Sequence, residues 1–228
     1  METIAENLDK TRARIDAAEQ KYGRIKGSVQ LLAVSKTQSV NTIALAVQAG
    51  QVRFGENYAQ EINAKISAFR QQQLEWHFIG PIQSNKTRML AENLDWIHSV
   101  DRDKVARRLN EARPAHLDPL NVCIQVNINA EPAKAGVDPA GVWPLAQHIQ
   151  QLPGLRLRGL MIIPAIQRDF DGQRLVFRQA RQLHQQLNEK GLQLDTLSMG
   201  MSDDLEAAIA EGSTLVRVGT AIFGPRQT

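Results

Sequence analysis

The stretch Leu31-Leu32-Ala33-Val34-Ser35-Lys36-Thr37 decides the fold. Four apolar residues run without alternation into a polar tripeptide. Such a run fits a strand covered on both faces, the pattern of parallel sheets flanked by helices. The Ser-Lys-Thr step then falls at the strand's C-terminal end, where parallel-sheet proteins keep their chemistry. Lys36 is thereby expected at the mouth of the fold, with the other site groups arranged around it.

Working outward, the same scheme recurs. Ile4, Leu8, Ile15 and Ala18 fall at roughly helical spacing before Gly23, which predicts an amphipathic helix within residues 1–25 packing on the rest. Strands are predicted over 31–35, 52–54, 75–79, 96–100, 121–128, 155–163, 195–197 and 214–218. Between them, helices are expected from an Asn41 cap to residue 49, over 58–71, from a Ser84 cap to residue 92, and from an Asp101 cap to residue 112. Further helices are expected over 139–151 with Pro144 inside, 171–190 and 203–211, with a short one from Ala221. Alternating βα units give a parallel sheet with right-handed crossovers. Eight of them in about 200 residues predict one closed (β/α)₈ barrel spanning residues 1–228, an α/β fold of TIM-barrel type with an added N-terminal helix. A doubly wound open sheet is the alternative. It normally carries a glycine-rich turn after the first strand, and Ser35-Lys36-Thr37-Gln38 has no glycine.

Composition bounds the function. The 228 residues are 43% hydrophobic and 22% charged, ordinary for a globular protein with its own core. The one cysteine, Cys123, excludes an intrachain disulfide, lies in the apolar run Val122-Cys123-Ile124, and reads as a core thiol in a reducing compartment. No apolar run nears the roughly 20 residues of a membrane span, and the acidic N-terminus lacks a signal-peptide core, so a cytoplasmic protein with no membrane partner is expected. The net charge of +3 is spread without a basic block, which argues against nucleic acid.

The strand ends supply the candidate chemistry. They carry Lys36, then Glu56-Asn57, then His77 and Gly80, then His98 and Ser99, then Asn127 and Asn129, then Met161 and Pro164. The seventh strand ends in Ser198-Met199-Gly200-Met201-Ser202 and the eighth in Arg217-Val218-Gly219-Thr220. Barrels often bind phosphate with the loops after strands seven and eight and a helix N-terminus. Each of Ser198, Gly200, Ser202, Gly219 and Thr220 alone reads better as a turn or a cap, but both loops carrying small donors at the expected places turns the balance to that role. Asp203 and Asp204 are adjacent and do not converge on a metal, so no metal site is expected. His116, His148 and His184 read as exposed, and His77 as facing the pocket. Arg217, inside an apolar strand, needs either a carboxylate or a ligand. A lysine desolvated at a barrel mouth can present a neutral amine for a Schiff base. Lysine, phosphate cradle and a partner for a ring nitrogen are together what pyridoxal phosphate requires of a protein.

Several segments carry a family resemblance. They are Leu32-Ala33-Val34-Ser35-Lys36-Thr37, Phe54-Gly55-Glu56-Asn57-Tyr58 and Trp76-His77-Phe78-Ile79-Gly80-Pro81-Ile82-Gln83-Ser84-Asn85-Lys86. Arg158-Gly159-Leu160-Met161, residues 197–204 and residues 216–224 complete the set. Together they resemble the pyridoxal phosphate homeostasis protein family. The resemblance implies a fold like the barrel domain of alanine racemase and of barrel-type decarboxylases. It implies that Lys36 holds the cofactor as an internal aldimine, that Ser198, Ser202, Gly219 and Thr220 bind its phosphate with Gly200 in the same loop, and that Arg217 faces the pyridine nitrogen. Asn57 matches a motif asparagine near the cofactor. The function implied is intracellular vitamin B6 homeostasis, buffering or delivering pyridoxal 5'-phosphate, with apo-enzymes that use it as recipients and without strong catalysis. A monomer is expected. The sequence reaches Thr228 soon after strand eight, so no second domain is expected to close the site. The alternatives are a racemase or decarboxylase, with Tyr58 or His77 as second base, and a Schiff-base aldolase using Lys36 alone. Lys134 is the next lysine to consider for attachment.

Overall fold

The computed structural model describes residues 2–129, 131 and 134–225. Eight parallel strands close into a barrel in sequence order, with β1 (Gln30–Val34) paired to both β2 (Arg53–Glu56) and β8 (Leu215–Val218). The intervening strands are β3 (Glu75–Phe78), β4 (Trp96–Val100), β5 (Leu120–Val126), β6 (Leu155–Ile162) and β7 (Thr196–Ser198). Closure disposes of the open-sheet alternative and leaves no sheet edge unpaired. The main core lies between the strands and the surrounding helices, built from residues such as Phe54, Phe78, Leu109, Leu120 and Phe177. A small separate apolar group is formed by Trp96, Cys123 and Met161, on β4, β5 and β6. Burial pushes the Cys123 thiol up to about 12, so it is an inert core residue as its apolar run suggests.

The N-terminal helix α1 (Ile4–Lys21) starts with a capping box between Thr3 and Glu6 and packs against the last two helices of the barrel, α8 (Leu205–Ala210) and α9 (Thr220–Phe223). Helix boundaries move where the capping chemistry differs from expectation. Ser39, not Asn41, caps α2 (Val40–Gln48), because its hydroxyl accepts from the Thr42 amide. The Ser84 carbonyl is taken by Thr87 and Arg108, and residues 83–86 form a turn, so α4 runs only over Thr87–Asn93. Helix α3 covers Ala59–Ala68, α5 covers Asp103–Ala112 behind Arg102, and α7 covers Phe170–Glu189 behind an Asp169 cap. Pro144 is carried inside α6 (Pro139–Gln150).

Two glycines make the barrel close as it does. A Cβ on Gly80 would strike the Asn57 carbonyl, so the loops after β2 and β3 touch only because Gly80 has no side chain. A Cβ on Gly159 would strike the Thr196 carbonyl, where β6 meets β7. Just before it, Arg158 is the extra residue where the β5–β6 register shifts, and its guanidinium reaches Asp195 and Asn121. Replacing Gly159 by alanine is expected to cost about 3 kcal/mol, measured as a fall in urea midpoint at constant slope, since backbone rather than a movable side chain opposes the methyl group.

Candidate functional site

Lys36 is the second residue of a tight turn. The Gln38 amide donates to the Ser35 carbonyl, and Thr37, third in the turn, has φ +64°. Among the described residues it is the one non-glycine at positive φ, a conformation that costs a β-branched residue of order 1–3 kcal/mol. A buried ion cluster holds it there. Lys65, on α3, donates to the Ser35 carbonyl (2.9 Å), to both oxygens of Glu56 (2.9 Å each) and to Glu61 (2.7 Å). Glu61 in turn accepts the Thr37 amide at 3.0 Å, and the Ser35 hydroxyl donates to Glu56. The peptide groups on both sides of Lys36 are thus gripped by one cluster. The side chains of Lys65 and Glu56 are 6% and 0% exposed. Burial pushes the Glu56 carboxyl up, against the pull of Lys65.

Lys36 opens into a cavity of about 490 Å³ at the C-terminal mouth of the barrel. Asn57, Ser202, Arg217, Gly219 and Thr220 line it as well, with Arg14 at its rim. Among the described residues Lys36 is the one lysine in the lining. Gly219 lies against the end of β1, where a Cβ would come within 3.3 Å of the Val34 carbonyl. The α9 turn that follows leaves its first amides without intrahelical acceptors. Arg14, on α1, donates to the Ser202 carbonyl at 2.9 Å and brings a second guanidinium to this end. The Asn57 side-chain oxygen is buried and has no hydrogen-bond partner, a polar atom that calls for a donor in the cavity.

Arg217 is 4% exposed and spans the cavity floor. Its guanidinium donates to the Ser198 carbonyl (2.6 Å), the Ser198 hydroxyl (2.9 Å) and the Ile162 carbonyl (2.8 Å). Burial lowers it to about 10, which still leaves it cationic at neutral pH. Ser198 lies beneath the cavity: it is fully buried, and its hydroxyl meets His98 and Arg217 instead of facing an anion. Gly200, at φ +96°, packs against Ala208 and makes the turn of that loop without lining the cavity. His77 faces inward as expected, but is sealed below the cavity against His98 and Glu75. Tyr58 stands at the start of α3, 41% exposed and outside the lining. His148 and His184 are half-buried, each with a buried Nε2, where exposed positions were expected; His116 is exposed. Asp204 accepts the Met201 amide, a structural use of the carboxylate. Lys134 is paired with Glu131 in the loop after β5. The sequence did not single out Lys65 or Arg14. Glu61 four residues before Lys65 was the available signal for the first.

The comparisons agree with this geometry. The alanine racemase N-terminal domain family matches over residues 6–227. A protein of Vibrio cholerae called pyridoxal phosphate homeostasis protein is 54% identical, over 99% of this chain and 98% of its own. The chain belongs to the pyridoxal phosphate homeostasis protein family. PipY of Synechococcus elongatus, solved with pyridoxal phosphate bound, is 38% identical and superposes with a TM-score of 0.85, over 97% of this chain and all of that one. Alanine racemase of Clostridium difficile, at 14% identity and a TM-score of 0.73, shares the fold and is covered over 58% of its length. Among the described residues no helix is long and apolar enough to cross a membrane.

Two consequences are measurable. Lys65→Met leaves Glu56 buried without its counter-ion, and a loss of about 3–5 kcal/mol in urea unfolding is expected, with Lys36 less firmly presented. His77 and His98 are both held below the ordinary histidine value by burial. Below about pH 6.5 the unfolded chain therefore takes up protons that the folded chain refuses, so stability falls as pH drops from 6.5 towards 5, by up to ~1.4 kcal/mol per pH unit for each ring. The urea midpoint is expected to fall over that interval, and to fall less in His98→Gln.

Proposed function

We propose that this protein binds pyridoxal 5'-phosphate in the barrel mouth and buffers or delivers it in the cytosol, as a monomeric carrier whose recipients are apo-enzymes that need it. The observation that carries the reading is Lys36, the lysine of a cavity that also presents Arg217 and the donors of the β7 and β8 loops. The residues fit the group. An amine, an anion-binding end and an orphaned acceptor on Asn57 are what an aldehyde, a phosphate and a ring hydroxyl would meet. When bound, pyridoxal phosphate supplies an electrophilic aldehyde and an electron-withdrawing ring.

The chain's own residues then divide the work. Lys36 supplies the amine for covalent attachment. Ser202, Thr220 and the backbone at Gly219 hold the anion, with Arg14 adding charge. Arg217 only donates, so a ring nitrogen placed against it would have to accept and would be kept unprotonated, which would weaken the ring as an electron sink. A racemase or decarboxylase needs a further acid or base at the ring's edge. Neither Tyr58 nor His77, the second bases considered for a racemase, lines the cavity, which weighs towards a carrier; Asp203 is the carboxylate in the described lining. The relatives' names, pyridoxal phosphate homeostasis protein, support the same choice.

Adding pyridoxal phosphate is expected to produce a visible absorbance band. Borohydride should fix the cofactor on Lys36, found by peptide mapping, and Lys36→Ala should lose the adduct. Attachment retained at another lysine, with Lys134 the first to check, would overturn the assignment. Rapid α-deuterium exchange of amino acids by the loaded protein would favour the enzyme reading.

A further inference from the structure

Beneath Arg217 a string of polar side chains crosses the whole interior of the barrel. The Ser198 hydroxyl lies 2.9 Å from Arg217 Nη1 and 2.8 Å from His98 Nδ1. His98 Nε2 lies 2.9 Å from His77 Nδ1, and His77 Nε2 lies 2.8 Å from Glu75 Oε1. Arg53 Nε donates to the same Glu75 oxygen at 3.0 Å. Ser198, His98 and His77 are fully buried. Glu75 is at the opposite end of the barrel from the cavity, beside solvent.

The two ends fix every proton between them. A guanidinium can only donate, so Ser198 Oγ accepts from Arg217. An ionised carboxylate can only accept, and the contacts of Glu75 with His77 and Arg53 outweigh its burial and hold it ionised. His77 must therefore donate from Nε2 to Glu75. Burial keeps His77 neutral, so its Nδ1 is an acceptor. His98 must then donate from Nε2 to His77, which leaves His98 Nδ1 to accept the Ser198 proton. Run in reverse, the string would set an unprotonated His77 nitrogen against a carboxylate. The charged groups facing the two rings are Glu75, Asp95 and Arg53 around His77, and Arg217 above His98. Trp96 stacks on His77 at 5.4 Å, with Arg158 over its other side.

We propose that Ser198, His98 and His77 form a one-way hydrogen-bond chain from Arg217 to Glu75, that both histidines are neutral Nε2–H tautomers, and that they are positioning residues for the guanidinium at the cavity floor. The chain lends the negative charge of Glu75 to Arg217 across the barrel, and removes the freedom of the Ser198 hydroxyl to turn away. The assignment of tautomers stands on the protein alone. Its consequence for the cofactor rests on the reading of the cavity given above.

The first test uses the protein without added cofactor. Nitrogen-15 NMR of histidine-labelled protein between about pH 6 and 8 should show His77 and His98 protonated at Nε2 and bare at Nδ1 throughout. Either ring found as the Nδ1–H tautomer or as imidazolium overturns the proposal. The second test is Glu75→Gln in the loaded protein, at the far end from the cavity. The pH midpoint of the visible band should shift by on the order of half a pH unit, with borohydride still fixing the cofactor on Lys36. An unchanged midpoint overturns the coupling to Arg217. A wild-type protein that never acquires the band refutes the cofactor reading instead, and leaves the tautomers to be judged by NMR.

Discussion

A buried ammonium holds the strand end on which the site depends. Lys65 reaches from α3 under β1 and β2 and spends its three protons on the Ser35 carbonyl, Glu56 and Glu61. An ion taken out of water is tolerated only when every proton has an acceptor, and here it does. The gain is geometric. Ser35 and Thr37 are fixed on either side of Lys36, and the left-handed Thr37 is kept where it would not stay unaided. A flexible side chain on a rigid peptide samples a small volume, which is how a barrel keeps a reactive group ready on a loop.

The second buried cation is handled differently. Arg217 is met by two backbone carbonyls and a hydroxyl, all neutral, so these contacts orient it without cancelling its charge. Of the two readings open to an arginine in an apolar strand, a carboxylate partner or a ligand, the hydrogen-bonded cage supplies neither, and the Asp204 carboxylate acts on the guanidinium through its charge. Lys65 and Arg217 show opposite uses of burial: one charge is spent holding the backbone, the other is kept for the cavity.

Much of this was legible in the sequence, for a physical reason. The longer buried strands, such as β1 and β5, read as nearly unbroken apolar runs, the shorter ones showed through their alternation with helices, and in a barrel the strand ends locate the site. What was hidden depends on phase and on long-range pairing. Strand β7 has only three residues, too few for a pattern to show which side of the sheet Ser198 faces. His77 and His98 are 21 residues apart and look like two unrelated polar residues until β3 and β4 are set side by side. Lys65 and Arg14 sit on amphipathic helices, where a charge reads as a solvated face. Asn41 was read as the cap of α2, and the residue that caps it is Ser39, whose hydroxyl reaches the Thr42 amide.

The fold alone would not have decided the function. The Clostridium difficile alanine racemase shares the barrel at 14% identity, so the common architecture has to accommodate different uses of one mouth. What separates a carrier from a racemase is the fate of polar groups near the cofactor. In this barrel the histidines that could have offered a base are sunk below the cavity and spent on one another, on Ser198 and on Glu75. The two histidines inside the barrel are thus engaged beneath Arg217, while the carboxylate in the described cavity lining is Asp203.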